Sequence, residues 1–426
     1  MFKNRTFKLQ GMRAAFNPRS AQVTFRSPEA VPVLMEGNMF KRSLFCIAGL
    51  VLSVAVGGSA SAQGTVKIGM VMPLTGPLAS AGQQVLAGAR LYVKQHGDAV
   101  AGKRIELIVK DGASSGETGK RLIQELIVNE KVDIIGGGIT ADLFASAGLI
   151  TEARKPTVIM ISSTTAVIEK SPFYVRTSCT LAQSSAILAD WTMKKGLARA
   201  VTLVSEFAPG LEAEETFTNN YKAAGGQIAE AIRVPLKNPD FAPFLQRVKE
   251  AAPQALFVFV PSTQAATFAK QFVERGLDKA GIALIGPGDL TDDEALPNMG
   301  DAMAGVVTAH FYSAAHPSAV NATFTEAYRK EARDGPNFMV VSGYDGMHAI
   351  YEALRKTSGS TDGKALIAAM RGMTWESPRG PMSIDRNTGE VVHNIYIRKV
   401  EKTDGNLRNI EFETFNNIRD PRVAAR

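Results

Sequence analysis

Two hydroxyl-rich turns carry most of the chemistry this sequence can offer. Gly137-Gly138-Ile139-Thr140 and Ser162-Ser163-Thr164-Thr165 each follow an apolar run and precede a segment of helical period. In an open α/β sheet, ligands bind outside the carboxyl ends of the strands. Free N–H groups and hydroxyls at a helix start suit a carboxylate. Ser and Thr are also ordinary N-caps, so the turns read either as a binding device or as plain caps. Gly136-Gly137-Gly138 fits neither Gly-x-Gly-x-x-Gly nor a P-loop, whose lysine is missing. It points to close backbone approach to something small. The five histidines (His96, His310, His316, His348 and His393) are scattered, with no metal-ligand spacing. There is no Gly-x-Ser-x-Gly elbow and no recognisable nucleophile–base pair. The expectation is a binding protein without catalysis, metal or cofactor.

The elements that must position these turns alternate along the chain. Val66–Met72, Ile105–Val109, Val132–Ile135 and Thr157–Ile161 read as strands. Residues 80–96, 117–130 and 141–154 between them have helical period; Val85, Ala89, Tyr92 and Val93 share one face of the first. The rhythm restarts near residue 182. Helices at 182–195, 210–224, 240–251 and 263–275 interleave with strands Ala200–Val204, 227–234, Ala255–Val260 and Ile282–Ile285. Further helices fall near 318–332 and 340–356, and a β-rich tail turns at Asp385-Arg386-Asn387-Thr388-Gly389. This predicts an α/β chain of two lobes with parallel sheets covered on both faces. No flexible linker separates the lobes, so the chain crosses between them more than once.

Compartment and charge follow from the leader. Residues 39–63 combine Lys41 and Arg42, an apolar run from Leu44 to Val56, and Ala60-Ser61-Ala62. This is the pattern of a cleaved secretory signal peptide. It predicts a start at Met39, an upstream extension over 1–38, and a mature chain from near Gln63. Of the formal charge of +7, all but +1 lies in residues 1–62. Residues 1–62 hold eight basic and two acidic side chains, which leaves 40 basic and 39 acidic downstream. No polyanion signature remains, so nucleic acid is not an expected partner. Cys46 lies in the leader and Cys179 is alone in the mature chain, so no disulfide is expected there.

The order of short motifs then resembles one family. Lys67-Ile68-Gly69, Pro73-Leu74-Thr75-Gly76-Pro77, Asp111-Gly112, Ile135-Gly136-Gly137, Ile161-Ser162-Ser163, Arg176-Thr177-Ser178, Phe207-Ala208-Pro209-Gly210, Asp240-Phe241-Ala242-Pro243-Phe244-Leu245, Ile285-Gly286-Pro287-Gly288 and Tyr344-Asp345-Gly346-Met347 follow each other over nearly all of 65–412. Together they resemble the periplasmic branched-chain amino-acid-binding family, the type I solute-binding proteins of ABC importers. The resemblance implies two Rossmann-like lobes joined by three crossovers, near 178–182, 308–312 and 378–384. It places 63–180 with 311–380 in one lobe and 181–310 with 381–426 in the other. It implies a monomeric periplasmic receptor that holds a small carboxylate in the cleft and delivers it to an inner-membrane ABC permease.

The resemblance maps the carboxylate site onto Ile139, Thr140, Thr164 and Thr165, and an aromatic wall onto Phe207. The usual serine falls at Ile139, leaving its N–H with Thr140 beside it. The usual large aromatic falls at Ala81, which enlarges the pocket. The usual acidic partner of an α-ammonium falls at Gly288, with Asp289 one residue on. Asp289 then either takes over the ammonium or caps the following turn, and an amine-free aromatic or aliphatic acid stays open beside an amino acid. A sensor of the same fold is the alternative to a transport receptor. A secreted hydrolase is disfavoured for want of a nucleophile.

Overall fold

The computed structural model describes residues 64–332 and 335–424. The leader, with its cleavage site, and the extension over 1–38 lie outside the described residues. Two twisted sheets organise the chain. The first holds β1 (Thr65–Met72), β2 (Ala99–Val100), β3 (Lys103–Asp111), β4 (Ile134–Gly137), β5 (Thr157–Ile159) and β6 (Tyr174–Arg176) in the order 2-3-1-4-5-6. All its pairs are parallel except β2 with β3. The second contains β7 (Arg199–Ser205), β8 (Gln227–Val234), β9 (Ala255–Phe259), β10 (Ala283–Pro287), β11 (Val307–His310), β12 (Thr374–Ser377), β13 (Gly380–Ile384), β14 (Val391–Thr403) and β15 (Asn406–Ile418). Its path is 12-13-14-11-10-9-7-8, with β15 on β14. β7 to β11 are parallel, and the C-terminal strands join antiparallel.

Helices cover both sheets: α1 (Ala79–His96), α2 (Gly116–Val128), α3 (Thr140–Glu152), α4 (Leu181–Lys194), α5 (Ala208–Ala223), α6 (Ala242–Ala251), α7 (Ser262–Glu274), α8 (Ala319–Arg329), α9 (Phe338–Lys356) and α10 (Gly363–Met370). The central strand β1 is buried on both faces from Ile68 to Met72, which is why it reads as an unbroken apolar run. α2 starts where the Ser115 hydroxyl accepts from the Thr118 N–H, and it buries Leu122, Ile123 and Leu126. α1 and α9 pack unusually close. A Cβ at Gly88 would lie 1.9 Å from the Val340 carbonyl oxygen, and one at Gly343 would lie 2.0 Å from that of Val85. Glycine at both positions lets the backbones touch.

The chain passes between the sheets three times: from β6 to α4, from the segment after β11 to α9, and from α10 through β12–β13 to β14. Two stretches that the sequence grouped with the first lobe attach to the second sheet. Ser313 donates to the Asn409 carbonyl and His316 meets Glu411 at 2.7 Å, both on β15. β12 pairs with β13 across a tight turn and thereby joins β14. The short antiparallel hairpin carries its own pairing, which helical and strand periods do not reveal.

Candidate functional site

A cavity of about 400 Å³ opens between the two sheets, at the carboxyl ends of their parallel strands. Ala81, Ile139, Thr140, Phe207 and Asp289 line it. Thr164 and Thr165 do not, although the sequence named them.

The first wall is built by two strand-to-helix turns. Gly137 and Gly138 have φ of +90° and +79°. A Cβ on Gly137 would approach the Val71 carbonyl to 2.7 Å, so glycine alone allows β4 to turn directly into α3. Thr140 then opens α3. Its hydroxyl lies 2.7 Å from that of Ser162 and 3.2 Å from that of Thr164. Ser162 and Ser163 line the cavity. The first-turn N–H groups of a helix have no intrahelical acceptor, and Thr140 and Ala141, which open α3, both line the cavity. The Ile139 N–H is not free: it donates to Asp142 Oδ2 at 3.3 Å. Ile139 therefore contributes its side chain to the lining rather than the N–H expected from sequence. Burial pushes the Asp142 carboxyl up to about 7, only partly offset by that N–H.

Thr164 sits beneath this wall, buried, within the hydroxyl cluster. Thr165 is turned away and engaged elsewhere. Its N–H donates to Glu212 at 2.9 Å, and its hydroxyl lies 2.7 Å from Glu212 Oε1 and 2.5 Å from Asp420 Oδ2. The hydroxyl-bearing residues of these two turns that line the cavity are thus Thr140, Ser162 and Ser163. Of the Ser162–Thr165 turn, the first half lines the cavity and the second half does not. The fully buried Arg176 holds the motif from behind, donating to the Ser162 carbonyl and, at 2.8 Å, to that of Thr164.

The second wall is mostly apolar, with Ser262, Thr263 and Asp289 as its polar residues. Phe207 caps α5 and stacks on Phe259 at 5.9 Å with an interplanar angle of 20°. Pro209, Pro261 and Leu236 extend that surface, while Leu78, Phe144, Ile161 and Met339 close the space from the first side. Phe259 was not anticipated, yet it is the last residue of β9 and so lies where a parallel sheet presents its loops. Ala81 lies in the first turn of α1 beside Ser80 and Gln84, where a larger side chain would occupy the cavity.

Asp289 is the one ionisable side chain in the lining. Burial pushes its carboxyl up to about 7, against the opposing pull of its own N–H and of Arg398. The preceding position is closed to any side chain. A Cβ on Gly288 would lie 2.0 Å from His310 Cδ2 and 2.6 Å from Arg398 Nη2. His310 and Arg398 are buried, and Arg398 is held by Thr308 and the Tyr312 carbonyl. Among the described residues, no group of His, Cys, Asp and Glu could hold a metal ion.

Comparison with known proteins agrees with this geometry. The profile of the periplasmic binding proteins matches residues 65–406. "Leu/Ile/Val-binding protein homolog 6" of Brucella suis biovar 1 (strain 1330) is 37% identical over 377 residues, 87% of this chain and 97% of its own. A solute-binding protein of an ABC transporter from Rhodopseudomonas palustris BisB5, solved in complex with 3,4-dihydroxybenzoic acid, is 57% identical, with a TM-score of 0.83 over 84% of this chain and 99% of its own. One from R. palustris HaA2, solved with p-hydroxybenzoic acid, is 37% identical, with a TM-score of 0.82 over 85% of this chain and 100% of its own. The chain belongs to the periplasmic binding proteins, in the branched-chain amino-acid-binding group of non-enzymatic type I solute receptors.

Proposed function

We propose that this protein is the periplasmic receptor of an ABC importer and that its solute is a small aromatic carboxylate of the benzoate type. One observation carries the reading: the cavity joins a hydroxyl cluster to an apolar, aromatic surface, and Gly288 has no room for an acidic side chain. The ligand carboxylate sits against the hydroxyls of Thr140, Ser162 and Ser163 and the first-turn N–H groups of α3. Charge-assisted bonds to several fixed donors replace its water without a paired cation. The ring lies against Phe207, enclosed by Phe144 and Phe259. The complexes of the two Rhodopseudomonas relatives with hydroxylated benzoic acids support this ligand class.

Delivery follows from hinge closure over the ligand and docking of the closed monomer on a membrane permease. Export to the periplasm uses the leader, with cleavage after Ala62 and a mature terminus at Gln63.

Calorimetry tests the ligand class. Benzoate, 4-hydroxybenzoate and 3,4-dihydroxybenzoate are expected to bind, while leucine, isoleucine and valine are not. A ligand at 100 times its Kd stabilises the fold by about 2.7 kcal/mol, so thermal shifts provide a second readout. Tight binding of leucine with none of the aromatic acids refutes the proposal. It would favour the second reading, in which Asp289 pairs with an α-ammonium from its place in the lining.

A further inference from the structure

The cleft contains one acceptor that the carboxylate site does not use. Asp289 follows β10, on the second sheet's side of the cavity, whereas the hydroxyl cluster stands on the first sheet's side. A ring lying between them presents its carboxylate to one side and its far edge to the other. Asp289 is half-buried, and its carboxyl takes a hydrogen bond from its own backbone N–H. No side-chain donor of the described residues is bonded to it. Arg398 acts on it only as a distant charge; its guanidinium is spent on Thr308 Oγ1 and on the carbonyls of Gly288 and Tyr312. A carboxyl so placed, in the same lining as the Phe207 and Phe259 rings, has spare lone pairs. Leaving such an acceptor unpaired in a closed cleft is costly, so the fitting ligand is one that brings a donor.

We propose that Asp289 is the specificity-determining residue of this receptor and accepts a hydrogen bond from a phenolic hydroxyl of the bound aromatic acid. The inference rests on the aromatic-carboxylate reading above. A phenol suits the site better than an ammonium. It carries one donor to match a single carboxyl and no charge that must be stripped of water, whereas an ammonium carries three donors and a full charge. The residue before Asp289 cannot supply a second acceptor from its side chain, because His310 and Arg398 fill that space. An unsubstituted benzoate leaves Asp289 desolvated and unpaired and binds less well. Hydroxylated rings are therefore selected by an unmet acceptor as much as by a gained contact.

The test is calorimetry at pH 8 with benzoate and 4-hydroxybenzoate on the wild type, Asp289→Asn and Asp289→Ala, with circular dichroism as the fold control. A charged acceptor is replaced by a neutral one in Asn and removed in Ala. The wild type is expected to prefer 4-hydroxybenzoate by tenfold or more. That ratio should shrink in Asp289→Asn and approach one in Asp289→Ala. A wild type that binds both acids equally overturns the role of Asp289 and leaves the aromatic-acid reading standing. So does a preference that survives in Asp289→Ala. Failure of the wild type to bind either acid overturns both.

Discussion

Thr165 and Glu212 tie the turn that carries the cleft hydroxyls to the opposite half of the molecule. Glu212, on α5, takes the Thr165 N–H at 2.9 Å and approaches its hydroxyl to 2.7 Å, while Asp420 near the C-terminus approaches the same hydroxyl to 2.5 Å. Thr165 belongs to the segment between β5 and β6 of the first sheet, and α5 packs on β7 of the second. The tie thus spans the hinge region directly beneath the ligand wall. Thr165→Val keeps the shape and removes the hydroxyl. Hydrogen bonds to charged groups are worth about 1.5–3 kcal/mol, so ligand affinity should fall by roughly tenfold or more, with the radius of gyration of the liganded form enlarged in small-angle scattering. Affinity equal to wild type would count against a role in closure.

The same geometry fixes a proton. A threonine hydroxyl has one hydrogen, yet two carboxyl groups lie within hydrogen-bond distance of it. If it donates to Asp420, the Glu212 carboxyl that burial raises is placed to donate to it and share its proton with the hydroxyl. Burial pushes Glu212 up, against the Thr165 donors, and the Asp420 charge adds to the rise while Arg422 opposes it. Around the pair stand Arg422, itself bonded to Glu215, and Glu390. A carboxyl raised in the closed, folded state contributes stability that is present at low pH and lost as pH rises through its folded value. Ligand affinity is therefore expected to decline as pH rises through the raised Glu212 value. In Asp420→Asn, the amide donates to the hydroxyl and no proton is needed. Titrating affinity from pH 5.5 to 9 should give a flatter profile for that variant than for wild type; superimposable profiles would refute the shared proton.

Gly288 leaves no room for a side chain next to Asp289. Its Cβ position is occupied by His310 and by the guanidinium of Arg398. Gly288→Ala should lower stability by about 1–3 kcal/mol, the usual cost of overpacking a core, and Gly288→Glu should fail to create an amino-acid receptor. Thermal unfolding of the alanine variant checks the first statement, and an undiminished Tm would show that His310 can move aside. Leucine calorimetry on any soluble Gly288→Glu protein checks the second.

Much of this architecture was legible because periodicity and packing agree. The run Val66–Met72 is apolar because β1 is central and covered on both faces, and α1, α3, α4 and α7 begin within one residue of the positions their hydrophobic spacing gives. Shorter elements escaped. β6 and β11 have three and four residues and α10 has eight, too few for a period to register. At the cavity, the sequence offered both hydroxyl turns but not which half of Ser162–Thr165 lines it. That choice is made by partners distant in sequence. Glu212 and Asp420 draw Thr165 away. No local pattern encodes a competition among groups between 47 and 255 residues apart.

Arg176 supports the ligand wall without touching the cavity. Fully buried, it donates to the carbonyls of Ser162 and Thr164 and pairs with Glu390 at 2.5 Å across the connection into the second sheet. Burial pushes the Glu390 carboxyl up to about 7, with Arg176 opposing. Removing only the cation leaves that carboxyl buried and unpaired, which costs about 3–5 kcal/mol for a pair of this kind. Arg176→Met should therefore lower stability severely. Replacing both partners, as Arg176→Met with Glu390→Leu, removes the two charges together and should recover most of the loss, since buried ion pairs are often replaceable by apolar side chains. Ligand affinity should not recover, because the Ser162 and Thr164 carbonyls still lack the donor that holds the turn. The double-mutant cycle separates the two effects: large coupling in Tm and little in Kd. Recovery of affinity together with stability would reduce Arg176 to a core ion pair and remove it as a positioning residue.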